Sequence, residues 1–305
     1  MVTMSSQSAE QFHRDLVQHG LIIPVGVPGA FGRGAVFEDV LSRFDDLVSR
    51  VTHGDGAERM LFPPILDRRV FEQSDFLDSF PQLAGTVFSF DGDDAQHREL
   101  RARVHEGKPW NDLQAMTKVV LSPAACYPVY PSFTGTLPTG GRVVEMLNWV
   151  FRHEPSPDPT RMQAFRVHEV VRVGTPDSVV EWRGTWLDRG LTLLRSLGLP
   201  ATIEVASDPF FGRGGKMLAA SQKHQELKFE VLVPVVSAEK PTAVCSFNYH
   251  QTHFGDLFDI HTDDGAVAHT ACLGFGMERI TMALFATHGF VPTEWPTAVR
   301  ERLWT

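Results

Sequence analysis

The segment 272–285 constrains the fold of this 305-residue chain more than any other part of its sequence. It carries the pattern Gly-x-Gly-x-Glu-Arg from Gly274 to Arg279 and continues as an apolar run. This arrangement predicts a helix over Met277–Phe285 that opens with an arginine beside a glycine-rich turn. A second arginine segment lies upstream at 151–154, so the chain could bring two guanidinium groups to one anionic ligand.

Arginines also cluster on a predicted hairpin in the middle of the chain. Arg152 and Glu154 lie two residues apart on one predicted strand, so both side chains should face the same side of a sheet. After the proline-rich loop 155–159, a second predicted strand returns with Arg161 and Arg166. Guanidinium groups are planar and always charged, which suits the oxygens of a triphosphate. A salt-bridged edge hairpin would explain the same residues, and the hairpin alone does not decide between them.

The chain contains three cysteines, Cys126, Cys245 and Cys272, which are too few and too scattered for a disulfide scaffold. Cys126 and Cys272, together with Glu169 on the return strand of the hairpin, form a chemically sensible zinc set. Two thiolates and one carboxylate leave a fourth position open for a ligand. Because these residues lie far apart in sequence, buried unreactive cysteines remain the alternative.

Composition excludes several classes of protein. Hydrophobic residues make up 43% of the chain, which is enough for a large core, and no apolar run is long enough to span a membrane. The polar segment 1–18 has no apolar signal core, so we expect a cytoplasmic protein. The formal net charge of −9 is unusual for a protein that grips a long nucleic acid.

Periodicity predicts an α+β fold. Helical spacing covers 35–52, 178–197 and 277–285, and a glycine-rich turn at 212–216 is expected to precede a further helix. Strands that follow one another without regular helices between them predict a mostly antiparallel sheet flanked by helices. The predicted strands are 59–66 (stopped by two prolines), 86–90, 119–121, 142–151, 161–173, 202–206, 229–236 and 243–247.

Histidines form a second group of possible metal ligands in the segment 250–253 and at His261. Their spacing does not follow the HExxH pattern of zinc enzymes. We therefore interpret them as solvated or hydrogen-bonded side chains.

These segments together resemble the catalytic core of class II aminoacyl-tRNA synthetases, above all the seryl type. Three segments are similar in order to the three signature motifs of that class: 36–64 to motif 1, 148–173 to motif 2 and 272–285 to motif 3. The resemblance implies one catalytic domain over 1–305, with the dimer interface of the class at motif 1. It therefore implies a homodimer.

The resemblance also implies roles for individual side chains. Arg152 would bind the α-phosphate of ATP and stabilise the charge of the adenylation transition state. Glu154 would accept the adenine amino group, and Arg161 and Arg279 would hold the γ-phosphate, with Arg279 also stacking on adenine. Glu230 would contact Mg²⁺. Many relatives carry an aromatic residue where this chain has Val170, so the partner opposite Arg279 stays open.

Three departures from ordinary seryl enzymes narrow the resemblance. Only some thirty residues precede the motif 1 helix, too few for a tRNA-binding arm. The usual Thr-x-Glu loop is replaced by Ala124-Ala125-Cys126, and Cys272 stands just before motif 3. With Glu169, the cysteines match the zinc ligands of the atypical seryl enzymes and of the truncated amino acid:[carrier protein] ligases.

The chain therefore resembles the carrier-protein ligases most closely. Such an enzyme would activate a small amino acid, glycine or alanine, with ATP and pass it to the phosphopantetheine thiol of a carrier protein. Zinc would take the amino group of the substrate. A minimal tRNA synthetase and a non-catalytic, regulatory paralogue are the alternatives.

Carrier proteins of this kind are acidic, so docking on an acidic chain requires a local basic surface. The candidates follow Phe211 on a predicted turn and helix, and an ordinary solvated helix face would explain them equally well: Arg213, Lys216, Lys223 and Lys228. No tRNA or membrane partner is expected.

Overall fold

A computed structural model describes residues 8–305 of the chain, apart from the side chain of Arg213. Its helices alternate with strands in an irregular order that matches the α+β prediction. The helices are α1 Ala9–Gln18, α2 Ala35–Thr52, α3 Arg68–Gln73, α4 Phe76–Ser79, α5 Asp94–His105, α6 Pro176–Ser196, α7 Gly212–His224, α8 His253–Phe258, α9 Met277–His288 and α10 Thr297–Trp304.

The strands form one large sheet and three small ones. They are β1 Ile22–Pro24, β2 Phe31–Arg33, β3 Glu58–Arg59, β4 Ile65–Asp67, β5 Thr86–Phe90, β6 Gln114–Leu121, β7 Gly135–Thr136, β8 Arg142–Phe151, β9 Ala164–Gly174, β10 Thr202–Val205, β11 Lys228–Val233, β12 Thr242–Gln251, β13 Ile260–His261 and β14 His269–Gly276. The large sheet has the order β10-β11-β12-β14-β9-β8-β3. Its pairs are antiparallel except β3 with β8, so the predicted mostly antiparallel sheet is confirmed.

Side-chain alternation along the central strands separates the two faces of this sheet. On one face, Phe247 of β12 and Phe275 of β14 are buried beneath the helices α2, α6 and α9. On the opposite face, Cys272 of β14 packs in a second buried cluster with Tyr130 and Phe254. Neighbouring positions of one strand therefore serve different faces, and the second face carries the cavity described below.

Helix α9 begins where the sequence predicts it, because the glycine-rich end of β14 stops the strand. Gly276 is the N-cap, and Glu278 and Arg279 lie in the first helical turn. Gly274 has no room for a large side chain, since an added Cβ would lie 3.0 Å from Val167 Cγ1. A residue without a side chain is therefore required where β14 borders the cavity.

Several predicted boundaries are wrong. The segment 60–64 is not a strand, because Pro63 and Pro64 lack the N–H groups that a sheet ladder requires. β8 ends at Phe151, and 152–163 forms a loop rather than strand ends. The glycine-rich segment predicted as a turn lies instead inside the first turns of α7.

Among residues 8–305, no helix combines the length and the apolar character that crossing a bilayer requires. The longest helix, α6, is amphipathic: it buries Val179, Trp186 and Leu194 against the sheet and exposes its opposite side.

Candidate active site

A cavity of about 430 Å³ opens on the second face of the large sheet. Cavity-facing positions of β9, β11, β12 and β14 form its floor, and the loop after β6 and the loop between β8 and β9 form its walls. Its lining includes Arg152, Glu154, Glu230 and Arg279, together with the predicted metal ligands. The fold therefore gathers residues that are far apart in sequence around one space.

The three predicted metal ligands meet at one end of this cavity. The ligand atoms of Cys126, Glu169 and Cys272 all lie within 4.8 Å of one another, and all three residues are buried. Glu169 and Cys272 come from the adjacent strands β9 and β14, on which Glu169 is paired with Gly274. Cys126 comes from the loop that follows β6. This is the only such cluster of acidic, cysteine or histidine ligands among the described residues.

The electrostatics of the cluster fit a divalent cation. Burial raises the pKa of the Glu169 carboxyl. The hydrogen bond with Cys126, together with burial, raises the pKa of the Cys272 thiol well above its usual value. For Cys126, the hydrogen bond with Cys272 lowers the pKa, but burial and the Glu169 charge outweigh it. Groups that hold their protons this firmly become ligands when a cation displaces the protons, and two thiolates with one carboxylate are a zinc set.

A buried tyrosine lies beside the cluster. Tyr130 is fully buried and belongs to the same buried cluster as both cysteines. Burial, followed by the charge of Cys126, raises the pKa of the Tyr130 hydroxyl well above its usual value. This hydroxyl therefore stays protonated and can donate a hydrogen bond to a Cys126 thiolate that binds a metal.

The two motif arginines line the same cavity as the predicted metal ligands. Arg279 donates hydrogen bonds to the carbonyl oxygens of Thr160 (2.8 Å) and Ala243 (3.0 Å). Arg152 donates to the carbonyl oxygen of Pro123 at 3.1 Å. Burial, followed by the nearby charge of Arg152, lowers the pKa of Arg279. Two guanidinium groups in one cavity can together bind an anion.

The remaining predicted ATP ligands lie on the loop between β8 and β9 and on β11. Arg161 pairs with Glu154 at 3.4 Å, but its side chain is 61% exposed and is not part of the cavity lining. Glu230 lies on β11 and faces the cavity, where its carboxylate is 3.0 Å from Lys228 Nζ. A magnesium ion at Glu230 would have to share the carboxylate with this ammonium group.

Glu278, next to Arg279 in the third motif, also borders the cavity, but its carboxylate bonds to the arginines of other elements. Its side chain is fully buried and accepts hydrogen bonds from the Arg166 backbone N–H (2.7 Å) and from Arg166 Nε (2.9 Å). Arg33 Nη2 lies 3.4 Å away, and Arg166 also pairs with Glu38. Glu278 therefore links α9 to β9 through Arg166, whereas the next residue, Arg279, bonds to two carbonyl oxygens at the cavity.

Comparison with known proteins decides the family. No protein-family model matches the chain. An amino acid–[acyl-carrier-protein] ligase of Bradyrhizobium diazoefficiens is 43% identical over 282 residues, which cover 92% of this chain and 86% of that protein. The chain belongs to this ligase family. It is an enzyme of the ligase class, as predicted.

More distant similarities agree with the predicted architecture. A type-2 serine–tRNA ligase of Methanococcus aeolicus is 27% identical over 284 residues, and the match covers 88% of this chain and 53% of that protein. The crystal structure of Methanopyrus kandleri seryl-tRNA synthetase, solved with a tRNA, superposes with a TM-score of 0.81 and 21% identity. That match covers 99% of this chain and 61% of the synthetase. The class II synthetase fold of the ligase is thereby confirmed.

Lys228, predicted on a carrier-docking surface, is buried in the ligase. Its ammonium group lies 2.5 Å from Asp208 Oδ1 and lines the cavity. Burial lowers the pKa of Lys228, but the two carboxylates beside it outweigh burial and raise it. A buried, paired lysine cannot contact a protein partner, so this assignment is wrong. The alternation of β11 would have indicated it, since Lys228 and Glu230 share one face.

Phe165 is a cavity residue that the sequence reasoning missed. It lies on β9 in the same alternation as Glu169, and its ring centroid is 5.8 Å from the Arg152 guanidinium carbon. The resemblance predicts an aromatic residue at the position of Val170, which is fully buried in the core on the other face. Counting positions in steps of two from Glu169 would have found Phe165.

Helix α7 presents the remaining docking candidates to solvent. Lys216 and Lys223 are exposed, and they lie seven residues apart on one side of the helix. Exposed apolar side chains accompany them: Phe211 (59%), Met217 (77%) and Leu218 (51%). The side chain of Arg213 lies outside the described part of the chain.

Proposed function

We propose that this ligase activates a small amino acid, glycine or alanine, with ATP and transfers it to the phosphopantetheine thiol of a carrier protein. One observation carries the proposal: the buried Cys126–Glu169–Cys272 cluster opens into the same cavity as Arg152 and Arg279. A metal-held amino group and an arginine-held triphosphate would therefore meet within one enclosed space. The names of the carrier-protein ligase relatives support the second half of the reaction.

ATP would bind at the arginine end of the cavity. Arg152 is the group for the α-phosphate, because it lies on the cavity wall between the loop at Pro123 and the ring of Phe165. Arg279 and Arg161 would hold the γ-phosphate, and Glu154 would accept a hydrogen bond from the adenine amino group. Phe165 offers an aromatic face on which adenine can stack.

The reaction needs no protein nucleophile. A carboxylate oxygen of the amino acid attacks the α-phosphorus of ATP and forms a new P–O bond, while the bond to the β-phosphate oxygen breaks and pyrophosphate leaves. The arginines offset the charge that develops on the phosphorus oxygens. Asp208 and Glu230, which both pair with Lys228, would offer carboxylate oxygens to Mg²⁺ near the leaving pyrophosphate. The thiol of the carrier then attacks the adenylate carbonyl, and AMP leaves.

The metal end of the cavity would hold the amino acid. When bound, zinc would accept the amino group of the substrate as a neutral ligand. Cys126, Glu169 and Cys272 would hold the zinc, and together they carry three negative charges against its two positive ones. Tyr130 and Phe254, stacked with ring centroids 3.9 Å apart, close the buried cluster around the cysteines. These rigid aromatic walls favour a substrate with a small side chain.

Carrier docking is assigned to the exposed face of α7. Lys216 and Lys223 supply positive charge on a protein whose net charge is −9, and Met217 supplies apolar contact. The helix reaches the cavity through Gln222, which bonds to both the backbone N–H and the carboxylate of Asp208. A carrier protein on α7 would thus bring its flexible arm to the cavity.

The ligase would act as a homodimer of single catalytic domains. The motif 1 region exposes Leu61 (81%), and Trp149 of the neighbouring strand β8 is 40% exposed. Large apolar side chains in this position suit a second copy of the chain.

The cytoplasm is the location that we propose. All three cysteines are free, as is usual for proteins of a reducing compartment.

The proposal is tested by ATP–pyrophosphate exchange with a panel of amino acids. We expect exchange with glycine or alanine and a mass gain on holo-carrier protein, but not on the apo-carrier that lacks the thiol. Cys272→Ser should lose zinc and exchange together, whereas Cys245→Ser should retain zinc, because Cys245 is not one of the clustered ligands. Charging of tRNA at a comparable rate, or partner binding without any exchange, would contradict the proposal.

A further inference from the structure

Two polar side chains of β12 point at one of the candidate metal ligands. Asn248 is paired with Cys272 across β12 and β14, and its Nδ2 lies 3.4 Å from Cys272 Sγ. His250, two residues further on the same face, places Nε2 at 3.7 Å from the same sulfur. Both distances are within the range of hydrogen bonds to sulfur, and neither residue belongs to the ligand cluster itself.

The His250 ring is held firmly in this orientation. Its Nδ1 lies 3.0 Å from the hydroxyl of Thr270, which is fully buried. The ring makes edge contacts with Phe254 at 4.9 Å and Tyr130 at 6.2 Å between centroids. The Thr270 hydroxyl and the two aromatic rings thus fix the direction in which Nε2 points.

We propose that His250 and Asn248 are positioning residues that donate hydrogen bonds to the Cys272 thiolate, with Thr270 selecting the Nε2–H tautomer of His250. A sulfur bound to a cation has no proton, so it can only accept hydrogen bonds. The ring nitrogen that faces the sulfur, Nε2, must then carry the N–H, and Nδ1 accepts the hydrogen of the Thr270 hydroxyl. This chain of donors, Thr270 to His250 to Cys272, satisfies each group once.

The inference rests on the proposed zinc centre and extends it. Donors on a thiolate withdraw charge from the sulfur and fix its position, and loss of such a partner weakens metal binding by about 10- to 100-fold in other proteins. Both hydrogen bonds are made to Cys272, because β12 is paired with β14 at this position. Cys272 would therefore be held more firmly than Cys126, which lies on a loop.

Zinc affinity measured by chelator competition tests the inference in the intact protein. His250→Phe should weaken zinc binding about 10-fold or more. His250→Gln should remain within about threefold of wild type, because its amide nitrogen can donate to the sulfur from nearly the same place. His269→Gln is the matched control: His269 lies on β14 near Cys272 but hydrogen-bonds to Tyr249 instead. Equal thermal unfolding of the metal-free variants would exclude misfolding as the cause.

Two spectroscopic readouts complete the test. With Co²⁺ in place of zinc, the sulfur-to-metal charge-transfer band should shift in His250→Phe and Asn248→Ala but not in His269→Gln. The ¹⁵N spectrum of the zinc-loaded wild type should show His250 protonated on Nε2. Zinc binding in His250→Phe as tight as in wild type, or a proton on Nδ1, would overturn the inference while leaving the proposed function intact. A wild-type protein without zinc would instead overturn the metal assignment.

Discussion

The contrast between Glu278 and Arg279 gives the sharpest prediction about this enzyme. Glu278→Ala should destabilise the fold, whereas Arg279→Ala should abolish ATP–pyrophosphate exchange with a smaller loss of stability. The reason is that Glu278 is fully buried between Arg166 and Arg33, whose side chains are 13% and 9% exposed. Arg279 instead hydrogen-bonds to two carbonyl oxygens at the cavity, where water can replace it.

The magnitude follows from the partners of Glu278. Removal of one partner from a buried ion pair costs about 3–5 kcal/mol, because the other charge is left uncompensated. Arg166 would keep its two bonds to Glu38, and Arg33 would keep its bonds to the carbonyl oxygens of Phe31 and Ala164. These remaining bonds place the expected loss near the lower end, at about 3 kcal/mol of unfolding free energy.

Urea denaturation of the purified protein measures this loss. Glu38→Gln is the matched control, because it removes a carboxylate from the same Arg166 at a side chain that is 41% exposed, and it should cost only about 1 kcal/mol. A cost of Glu278→Ala below about 1 kcal/mol would refute the reasoning, as would equal costs for the two carboxylates. If Arg279→Ala keeps both wild-type stability and ATP–pyrophosphate exchange, the catalytic role predicted for Arg279 is refuted.

Other substitutions separate carrier docking, ATP binding and folding. Charge reversal at Lys216 and Lys223 should slow aminoacyl transfer about tenfold but leave ATP–pyrophosphate exchange unchanged; equal effects on both steps would reject docking on α7. Phe165→Ala should raise the KM for ATP about tenfold through lost stacking, while Phe165→Tyr stays near wild type; an unchanged KM would contradict the ATP orientation. His168→Gln should destabilise the fold most at low pH. Burial lowers the pKa of His168, but its carboxylate partners outweigh burial and raise it above 6.5. The stabilisation from charged His168 is therefore complete below pH 6.5 and is lost as pH rises through the folded pKa, so a pH-independent difference in unfolding free energy would contradict the assignment.

Residues whose positions follow from local rules could be predicted from the sequence. The helix over 35–52 and the strand over 142–151 match α2 and β8, because apolar spacing and the flanking loops fix them. The motifs also predicted which residues share the cavity. Cys126, Glu169 and Cys272 are separated by 43 and 103 positions in sequence, and only the resemblance to a known fold could bring them together.

The other residue positions depend on which face of a strand a residue occupies. The spacing of residues in the sequence alone does not determine that face. The basic neighbours on α7 predict a surface position for Lys228, yet it begins β11 and faces the cavity. The same alternation places Phe165 in the cavity and Val170 in the core. The sequence predicts only a solvated or hydrogen-bonded His250, because its contact with Cys272 arises across two paired strands.

Strand β14 has a consequence for how this enzyme could change its substrate. Cys272 and Gly276 lie four residues apart on one extended strand, which corresponds to about 13 Å at 3.3–3.4 Å per residue. The separation between the metal cluster and the start of the arginine-bearing helix is therefore set by backbone geometry. One inserted residue would turn Cys272 to the opposite face, so the strand cannot be lengthened by small steps. Evolution toward other amino acids would have to replace side chains along the cavity wall and keep this spacing unchanged.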